Sequence, residues 1–319
     1  MVQVFVDDFV HALGETKRHV QESAARGDTL SRPDDLLEAG FRWHHVCEPA
    51  TTAYDLAVAA TGQLARAGVL EPVDAVVYAT CLTCNGNVGD PADWARTRDV
   101  KFLMDFPVSR LLADFGLDDA VAIGLNQQAC TSMLGSLRVA RGMLAGEPDW
   151  QRILCVTADR FPPEAHHEQV YNLISDGAAA CIVSRAPARF RLVAAHHITN
   201  GALAQATDDE TIGMYFNYMH RLVGETLDRA GLTIDDIDWV VPQNTLDKAW
   251  LILARVLGVG LDRVFYPTMP EVGHVISADN VINLEALISS GRLEPGQRLL
   301  LTMAGFGLNW QATILEVAG

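Results

Sequence analysis

An α/β fold is predicted by two features of this 319-residue chain. Short apolar runs of strand length alternate with amphipathic segments of helical period. The pattern also runs twice. Residues 75–80 are echoed by 238–242, and residues 153–158 by 299–304. Each member of the second pair is followed by a closing apolar run, 178–183 and 312–316, as in an internal duplication. The chain therefore divides into halves at 1–186 and 187–319.

Taken in order, residues 1–6 read as a strand with Val2, Val4 and Val6 on one face. Residues 15–25 read as a polar helix or loop, and 34–48 as a mixed segment. Residues 51–67 read as a helix: Thr51 or Thr52 can cap it, and Leu56, Ala59, Ala60 and Leu64 share one side. Residues 74–80 form a short buried strand. Residues 84–94, rich in Gly, Asn and Asp, form a loop, and 108–115 a helix. Residues 120–125 are an apolar run read as a buried strand. A polar turn then leads to Cys130, and Met133, Leu134, Leu137, Val139, Ala140, Met143 and Leu144 continue at helical spacing. A strand follows at 152–158, and 175–184 is a turn that feeds another strand. After Ala186 and Pro187 the cycle restarts: strand 191–197, long helix 212–230, strand 237–242, helix 246–257, helix 281–290 closed by Gly291, and strand 298–304. The turn Gly305-Phe306-Gly307 leads to the last strand, 311–317.

Composition narrows the function. The net charge is -16 with no block of Lys or Arg, which argues against nucleic acid as a partner. Arg96, Arg98, Lys101 and Arg110 fall close together and read either as a local basic patch for an acidic carrier protein or as a solvated face. No apolar run reaches bilayer length, and the N-terminus lacks the basic and apolar regions of a signal peptide, so the cytoplasm is expected. Six irregularly spaced cysteines read as reduced thiols. Cys81 and Cys84 make a C-x-x-C without a second pair, and no metal site is expected.

Cys130 stands where a strand turns into a helix. Such a turn exposes the sulfur, and the helix N-terminus favours the thiolate. Cys is also among the most buried residue types, so this stretch alone leaves a structural thiol and a nucleophile both open.

Five segments in order resemble the thiolase-fold condensing enzymes, in particular the 3-oxoacyl-(acyl carrier protein) synthase III group. They are Gly40-Phe-Arg-Trp-His-His45, Ala129-Cys-Thr-Ser-Met133, Ser175-Asp-Gly-Ala-Ala-Ala180, Asp238-Trp-Val-Val-Pro-Gln-Asn244 and Leu301-Thr-Met-Ala-Gly-Phe-Gly-Leu-Asn-Trp310. The resemblance covers almost the whole chain. It implies a five-layer αβαβα fold, a homodimer, no permanently bound cofactor, and an acyl group carried on Cys130 as a thioester. The acyl donor it implies is a carrier-protein phosphopantetheine or coenzyme A thioester.

Two departures from the family pattern bear on the reaction. The family places a His after the Pro of its D-W-x-x-P-H-Q-A-N motif; here that position is Gln243. The family places an Asn in its later G-N-x-S-A-A-S turn; here that position is His274. A Gln amide donates a hydrogen bond but is no base at neutral pH. Asp279 follows five residues after His274, where Ser277 fits a helix cap and Asp279 the first turn. A carboxylate beside an imidazole fixes its tautomer and stabilises the imidazolium. Cys130, His274 and Asp279 thus form a candidate nucleophile, base and orienter set. It is similar to that of synthase III-like acyltransferases of polyketide and glycoside pathways, which suggests antibiotic-type biosynthesis. A helix-cap histidine and a first-turn acid are the alternative reading of His274 and Asp279.

The supporting residues follow from the same resemblance. Backbone N–H groups of Cys130 and of the Gly305-Phe306-Gly307 turn would hold an oxyanion. Gln243 and Asn244 are candidate polar groups of the site, Asn244 equally a plain turn residue. Phe106 matches a position that reaches the partner subunit's acyl pocket, or else simply begins a helix. The Trp and Arg that sandwich adenine in the family have no counterpart near Leu36 and Leu37, which tilts the donor toward a carrier protein. His44, His45, His166, His167, His196 and His197 come in surface-like pairs and read as structural or solvated. A carbon–carbon condensing enzyme and a non-catalytic partner subunit are the rival functions.

Overall fold

The structure, a computed structural model, describes residues 2–70, 72–85, 90–104, 106–170, 172–306 and 308–319. Its centre is a nine-stranded mixed sheet. The strands are β1 (Phe5–Leu13), β2 (Ala75–Ala79), β3 (Val121–Leu125), β4 (Arg152–Asp159), β5 (Gly177–Ser184), β6 (Phe190–Thr199), β7 (Trp239–Pro242), β8 (Arg298–Gly305) and β9 (Asn309–Val317). They lie side by side as β7-β8-β9-β6-β1-β5-β4-β2-β3. Outward from the β1–β6 join, one wing runs β1-β5-β4-β2-β3 and the other β6-β9-β8-β7. A lone bridge from Val240 to Val264 takes the place that β3 holds in the first wing. The wings repeat in pairing as well: β2–β4 and β7–β8 are parallel, β4–β5 and β8–β9 antiparallel.

Six helices cover the sheet: α1 (Ala53–Arg66), α2 (Pro107–Asp114), α3 (Ser132–Gly146), α4 (Asp208–Ala230), α5 (Asp247–Leu257) and α6 (Asp279–Ser289). Their packing follows strand alternation. Val77 and Cys155 of one wing and Val241 and Leu301 of the other share a single core with Met133 and Leu137 of α3 and Val281 and Leu284 of α6. The alternate residues Val76, Tyr78, Leu154 and Val156 pack on α1 and α2. Val240, Leu300 and Ile314 pack on α4 and α5. The result is five layers, αβαβα, with α3 and α6 in the middle. Burial on both faces is why these strands read as unbroken apolar runs.

The helix starts carry the expected signals. Thr52 caps α1 and Asp55 returns the bond in a capping box. Several boundaries differ from the sequence reading. Strand β1 begins at Phe5 and runs on to Leu13, past an irregularity between Asp7 and Val10 where Asp8 has φ +57°. That bulge interrupts the alternation that would have marked the extension. Residues 15–25 hold a strand, Thr16–His19, and a helix, Val20–Arg26; the strand pairs with Trp43–Val46. The loop expected at 84–94 gives way to a helix, Pro91–Thr97, capped by Asp90; its residues 86–89 lie outside the described set.

The strand expected to be buried before Cys130 is exposed. β3 is the last strand of its wing, has only β2 beside it, and leaves Val121 44% exposed. Of the structural and solvated readings of the paired histidines, the structural one holds for those that are buried. His44 is buried between the Ser23 hydroxyl (2.6 Å) and the Ile174 carbonyl (2.7 Å), and His167 and His196 are buried too. Burial lowers the His44 pKa to about 4, which keeps it neutral in a structural role. Among the candidate basic patch, Arg96 pairs with Asp93 and Lys101 with Asp99, while Arg98 and Arg110 lie over the rings of Trp94 and Tyr54. Among the described residues no helix is long and apolar enough to cross a membrane.

Candidate active site

The two central helices begin side by side, and the candidate residues stand at their N-termini. α3 is preceded by a 3-10 turn, Ala129–Thr131, that holds Cys130. Ala129 has φ +48°, a conformation that costs a non-glycine residue of order 1–3 kcal/mol and tends to mark functional turns. The turn is braced from β9, where Gln311 donates to Gln128 Oε1 (2.6 Å) and Thr131 Oγ1 (3.0 Å). The end of β8 lies directly against it. A Cβ on Gly305 would sit 2.8 Å from the Cys130 backbone nitrogen, so only glycine permits this approach.

α6 is preceded by a matching 3-10 turn, Ile276–Ala278, and before it comes His274. The His274 backbone is clamped at both ends. Its N–H donates to the Leu173 carbonyl (2.8 Å) and its carbonyl accepts the Ser175 N–H (2.9 Å). Gly273 has φ +65°, and a Cβ there would meet the Leu173 oxygen at 2.7 Å. The imidazole Nδ1 donates to Asp279 Oδ2 at 2.5 Å, which leaves Nε2 for the thiol. Asp279 is wholly buried and accepts two further bonds, from Val275 N–H (2.6 Å) and Asn244 N–H (2.7 Å).

Ser277 is not the cap. Ala278 occupies that position without a side-chain bond, and the Ser277 hydroxyl donates to the Ala129 carbonyl at 3.3 Å. The Asp279 carboxylate turns back to the Val275 N–H, and the 3-10 turn aims the serine at the neighbouring turn instead.

The electrostatics couple the three groups. A hydrogen bond from the Cys81 thiol and the facing His274 hold the Cys130 pKa down at about 5, against burial, which opposes the thiolate. Burial alone would lower His274; the Asp279 carboxylate and the thiolate overrule it and raise its pKa to about 10. Both shifts favour a thiolate beside an imidazolium.

Other expected residues sort unevenly. Gln243 lies on the wall of the cavity, and its Oε1 accepts the Ala304 N–H (2.5 Å). That bond fixes the amide and leaves its NH2 end as the free donor. Asn244 does not face the cavity. Its side chain is consumed by the Gly273 carbonyl (2.8 Å), Thr268 and Asn283 (2.8 Å), so it positions the His274 loop. Gly305 and Phe306 line the cavity; Gly307 lies outside the described residues. Phe106 is 56% exposed at the start of α2, away from the cavity of its own chain.

That cavity holds about 380 Å3. Ile212, Tyr215 and Phe216 of α4 and Ile252 of α5 give it an apolar wall, and its polar lining includes Cys130, His274 and Gln243 together with Asn172, Thr245 and Lys248. Two residues of the site escaped the sequence reading. Cys81 brings its Sγ to 3.9 Å from that of Cys130. Asp159 is buried behind it and accepts the N–H groups of Cys81 (2.9 Å) and Leu82 (2.9 Å); burial raises its pKa to about 7. The C-x-x-C spacing was the one signal that touched either, and it pointed to Cys84.

The arrangement can hold a sulfur anion, give a proton to a departing group and take one back. Comparison with known proteins identifies the family. The family profile of 3-oxoacyl-[acyl-carrier-protein] synthase III matches residues 126–201, and the profile of that family's C-terminal part matches residues 227–317, together more than half of the chain. A beta-ketoacyl-[acyl-carrier-protein] synthase III of Sphingopyxis alaskensis is 25% identical, over 96% of this chain and 96% of the relative. Two solved structures share the fold. The 3-oxoacyl-(acyl carrier protein) synthase III of Pseudomonas aeruginosa superimposes with a TM-score of 0.82 at 24% identity, over 99% of both chains. ChlB3, described as an acyltransferase, gives 0.81 at 21% identity, over 99% of this chain and 98% of its own.

Proposed function

Given that this chain belongs to the 3-oxoacyl-(acyl carrier protein) synthase III-like enzymes of the thiolase superfamily, we propose that it transfers an acyl group to a hydroxyl or amine of a small acceptor. The observation that carries this reading is the His274–Asp279 pair facing Cys130, together with Gln243 after Pro242. Transfer to oxygen or nitrogen requires a proton to be taken from the acceptor. Decarboxylative carbon–carbon bond formation generates its carbanion without a base.

The proton ledger closes on His274 alone. The Cys130 thiolate attacks the donor thioester, a carrier-protein phosphopantetheine or coenzyme A derivative. The Cys130 N–H and the backbone N–H after Gly305 hold the oxyanion; one such donor is worth ~3 kcal/mol of barrier. The departing thiolate takes the proton of the His274 imidazolium. The imidazole, now neutral, accepts the acceptor's proton as the oxygen or nitrogen attacks the Cys130 thioester, and the thiolate and imidazolium return. Asp279 holds Nδ1–H and stabilises the charge on the ring. The Gln243 NH2 steadies the acyl carbonyl. In this division residues 1–186 bring the nucleophile and residues 187–319 the proton carrier.

A homodimer fits the same reading. β3 is an apolar edge strand with its outer side unpaired, a common pairing surface. Val100, Leu103, Met104 and Phe106 are exposed, and Phe106 would enter the partner's acyl pocket. Leu36 is buried in a small apolar cluster, and the Trp and Arg that flank adenine in the family have no counterpart near Leu36 and Leu37, which favours a carrier-bound donor over coenzyme A. The biological setting proposed is secondary metabolism of the polyketide or glycoside type.

Intact mass after incubation with an acyl thioester tests the first half-reaction. Wild type gains the acyl mass and Cys130→Ala does not. His274→Ala becomes acylated yet fails to turn over when acceptor is added. Acylation of Cys130→Ala, or near-normal turnover by His274→Ala, would overturn the assignment. The Gln243 donor beside His274 also suits an extender carbonyl, so condensation is the second reading; carbon dioxide released from a malonyl thioester by the acylated protein would establish it instead.

A further inference from the structure

Cys81 follows β2, 49 residues before Cys130 in sequence, and yet its sulfur is 3.9 Å from the nucleophile. The two thiols share a small apolar cluster with Ile174, Ile276 and Phe161. Neither position is adjustable by drift. The Cys81 N–H is bound by both oxygens of the buried Asp159 (2.9 and 3.0 Å), and the Cys130 turn is braced by Gln311. A disulfide needs ~2.05 Å between sulfurs. The sulfurs are within ~2 Å of that length, and closing the gap falls to the two side chains.

We propose that Cys81 and Cys130 form a reversible dithiol–disulfide pair, closed by a peroxide-class oxidant, that masks and protects the Cys130 sulfur. The chemistry balances with hydrogen peroxide as the co-reactant. The Cys130 thiolate attacks one peroxide oxygen, the O–O bond breaks, the departing hydroxide takes the His274 imidazolium proton and leaves as water, and Cys130 becomes a sulfenic acid. Cys81 gives up its proton and attacks the Cys130 sulfur; the S–O bond breaks and water leaves. Two thiols lose two electrons and two protons in total, and one peroxide becomes two waters. A dithiol reductant reverses the bond.

Other thiols serve this role less well. Cys155 and Cys181 are register partners on β4 and β5 but are wholly buried, beyond an oxidant in water. Cys84 is exposed and has the C-x-x-C spacing, but its sulfur rests near Asn85 Oδ1 at 4.0 Å. Cys47 lies in the separate core under α1 and α2, away from the cluster that holds Cys130.

The bond itself does not require Cys130 to carry acyl groups; only its effect on turnover rests on the function proposed above. The test therefore reads the two separately. Wild-type protein is treated with stoichiometric hydrogen peroxide and mapped by peptide mass spectrometry without reduction. The expected product has lost two hydrogens and links the Cys81 and Cys130 peptides. Self-acylation by an acyl thioester falls at least ~10-fold and returns with dithiothreitol, as for a disulfide. Cys84→Ser gives the same link. In Cys81→Ser, Cys130 instead gains two or three oxygens, which dithiothreitol does not remove. A Cys81–Cys84 link in wild type, or equal over-oxidation of Cys130 with and without Cys81, would overturn the proposal. A mapped link that leaves acyl transfer intact would keep the proposal and remove Cys130 from the acyl-transfer mechanism.

Discussion

The starts of α3 and α6 are the same piece of backbone used twice. Each helix follows a 3-10 turn, Ala129–Thr131 or Ile276–Ala278. Each turn opens on a non-glycine residue with positive φ, +48° at Ala129 and +49° at Ile276. Aligned on these residues, Cys130 corresponds to Ser277 and Ser132 to Asp279. At α3 the first helical residue turns its hydroxyl onto the carbonyls of Ala129 (2.6 Å) and Thr80 (3.3 Å). At α6 the first helical residue is a carboxylate that gathers Val275, Asn244 and His274. Two helix N-termini of like build thus meet at one cavity, where the first brings Cys130 and the second brings the carboxylate that holds His274. Both positions favour negative charge through the helix dipole; the imidazolium between them balances it.

The comparison is broken most severely at Asp279. Asp279→Ser copies the first turn onto the second and removes the carboxylate. Turnover should fall by ~10³-fold or more, because the ring loses both its tautomer and its counter-charge. Asp279→Asn keeps the shape and should fall nearly as far. Steady-state kinetics with matched circular dichroism checks this; an Asn variant within ~10-fold of wild type would make Asp279 a capping residue only.

Thiol reactivity gives the next largest effect. With the Cys130 pKa lowered to about 5, the anion persists as pH falls until that value and is lost below it. The rate of alkylation by iodoacetamide should therefore be flat above pH ~6 and fall tenfold per unit below ~5. In His274→Ala the inflection should move up toward an ordinary thiol, ~8.5, and a full shift slows alkylation roughly 300-fold at pH ~6. An unmoved inflection would mean that the imidazole does not support the anion.

Gly305 tests whether the second half must touch the first turn. Gly305→Ala drives a Cβ to within 2.8 Å of the Cys130 nitrogen. Either β8 or the turn must shift, and displacement of a nucleophile by ~1 Å costs about 100-fold, so self-acylation should slow ~10–100-fold while the protein stays folded. Stopped-time intact-mass measurement reads it directly.

How far the sequence revealed these two turns depended on whether the relevant contact was local. The five-residue interval between His274 and Asp279 is local, and the turn before α3 is announced by a switch from a strand-length run to helical spacing, so both could be read. The strand–helix alternation and its repeat gave the layers for the same reason. Asn244 could not be placed, because its side chain is satisfied by Gly273 and Asn283 from distant loops. Cys81 and Asp159 were invisible for the same reason: 49 and 78 residues separate the members of the Cys130–Cys81–Asp159 chain of contacts. The exposure of β3 depends on its place at the edge of the sheet, which an apolar run of five residues does not encode. Ser277 misled because Ser before Asp is a capping signal, and here the acid satisfied the backbone itself.

Ser277 also offers the mildest test. Its hydroxyl reaches from the second turn to the Ala129 carbonyl in the first, the direct side-chain link between the two. At 3.3 Å and neutral, such a bond is worth ~1 kcal/mol. Ser277→Ala should lower the melting temperature by about 2 °C in a chain of this size. If the turns are held apart and aligned by their own helices, turnover should stay within ~2-fold, since ~1 kcal/mol of fold stability is not ~1 kcal/mol of barrier. A loss of ~100-fold with the same small change in melting would mean that the serine sets the distance between sulfur and imidazole, and that the two turns act as one unit joined through position 277.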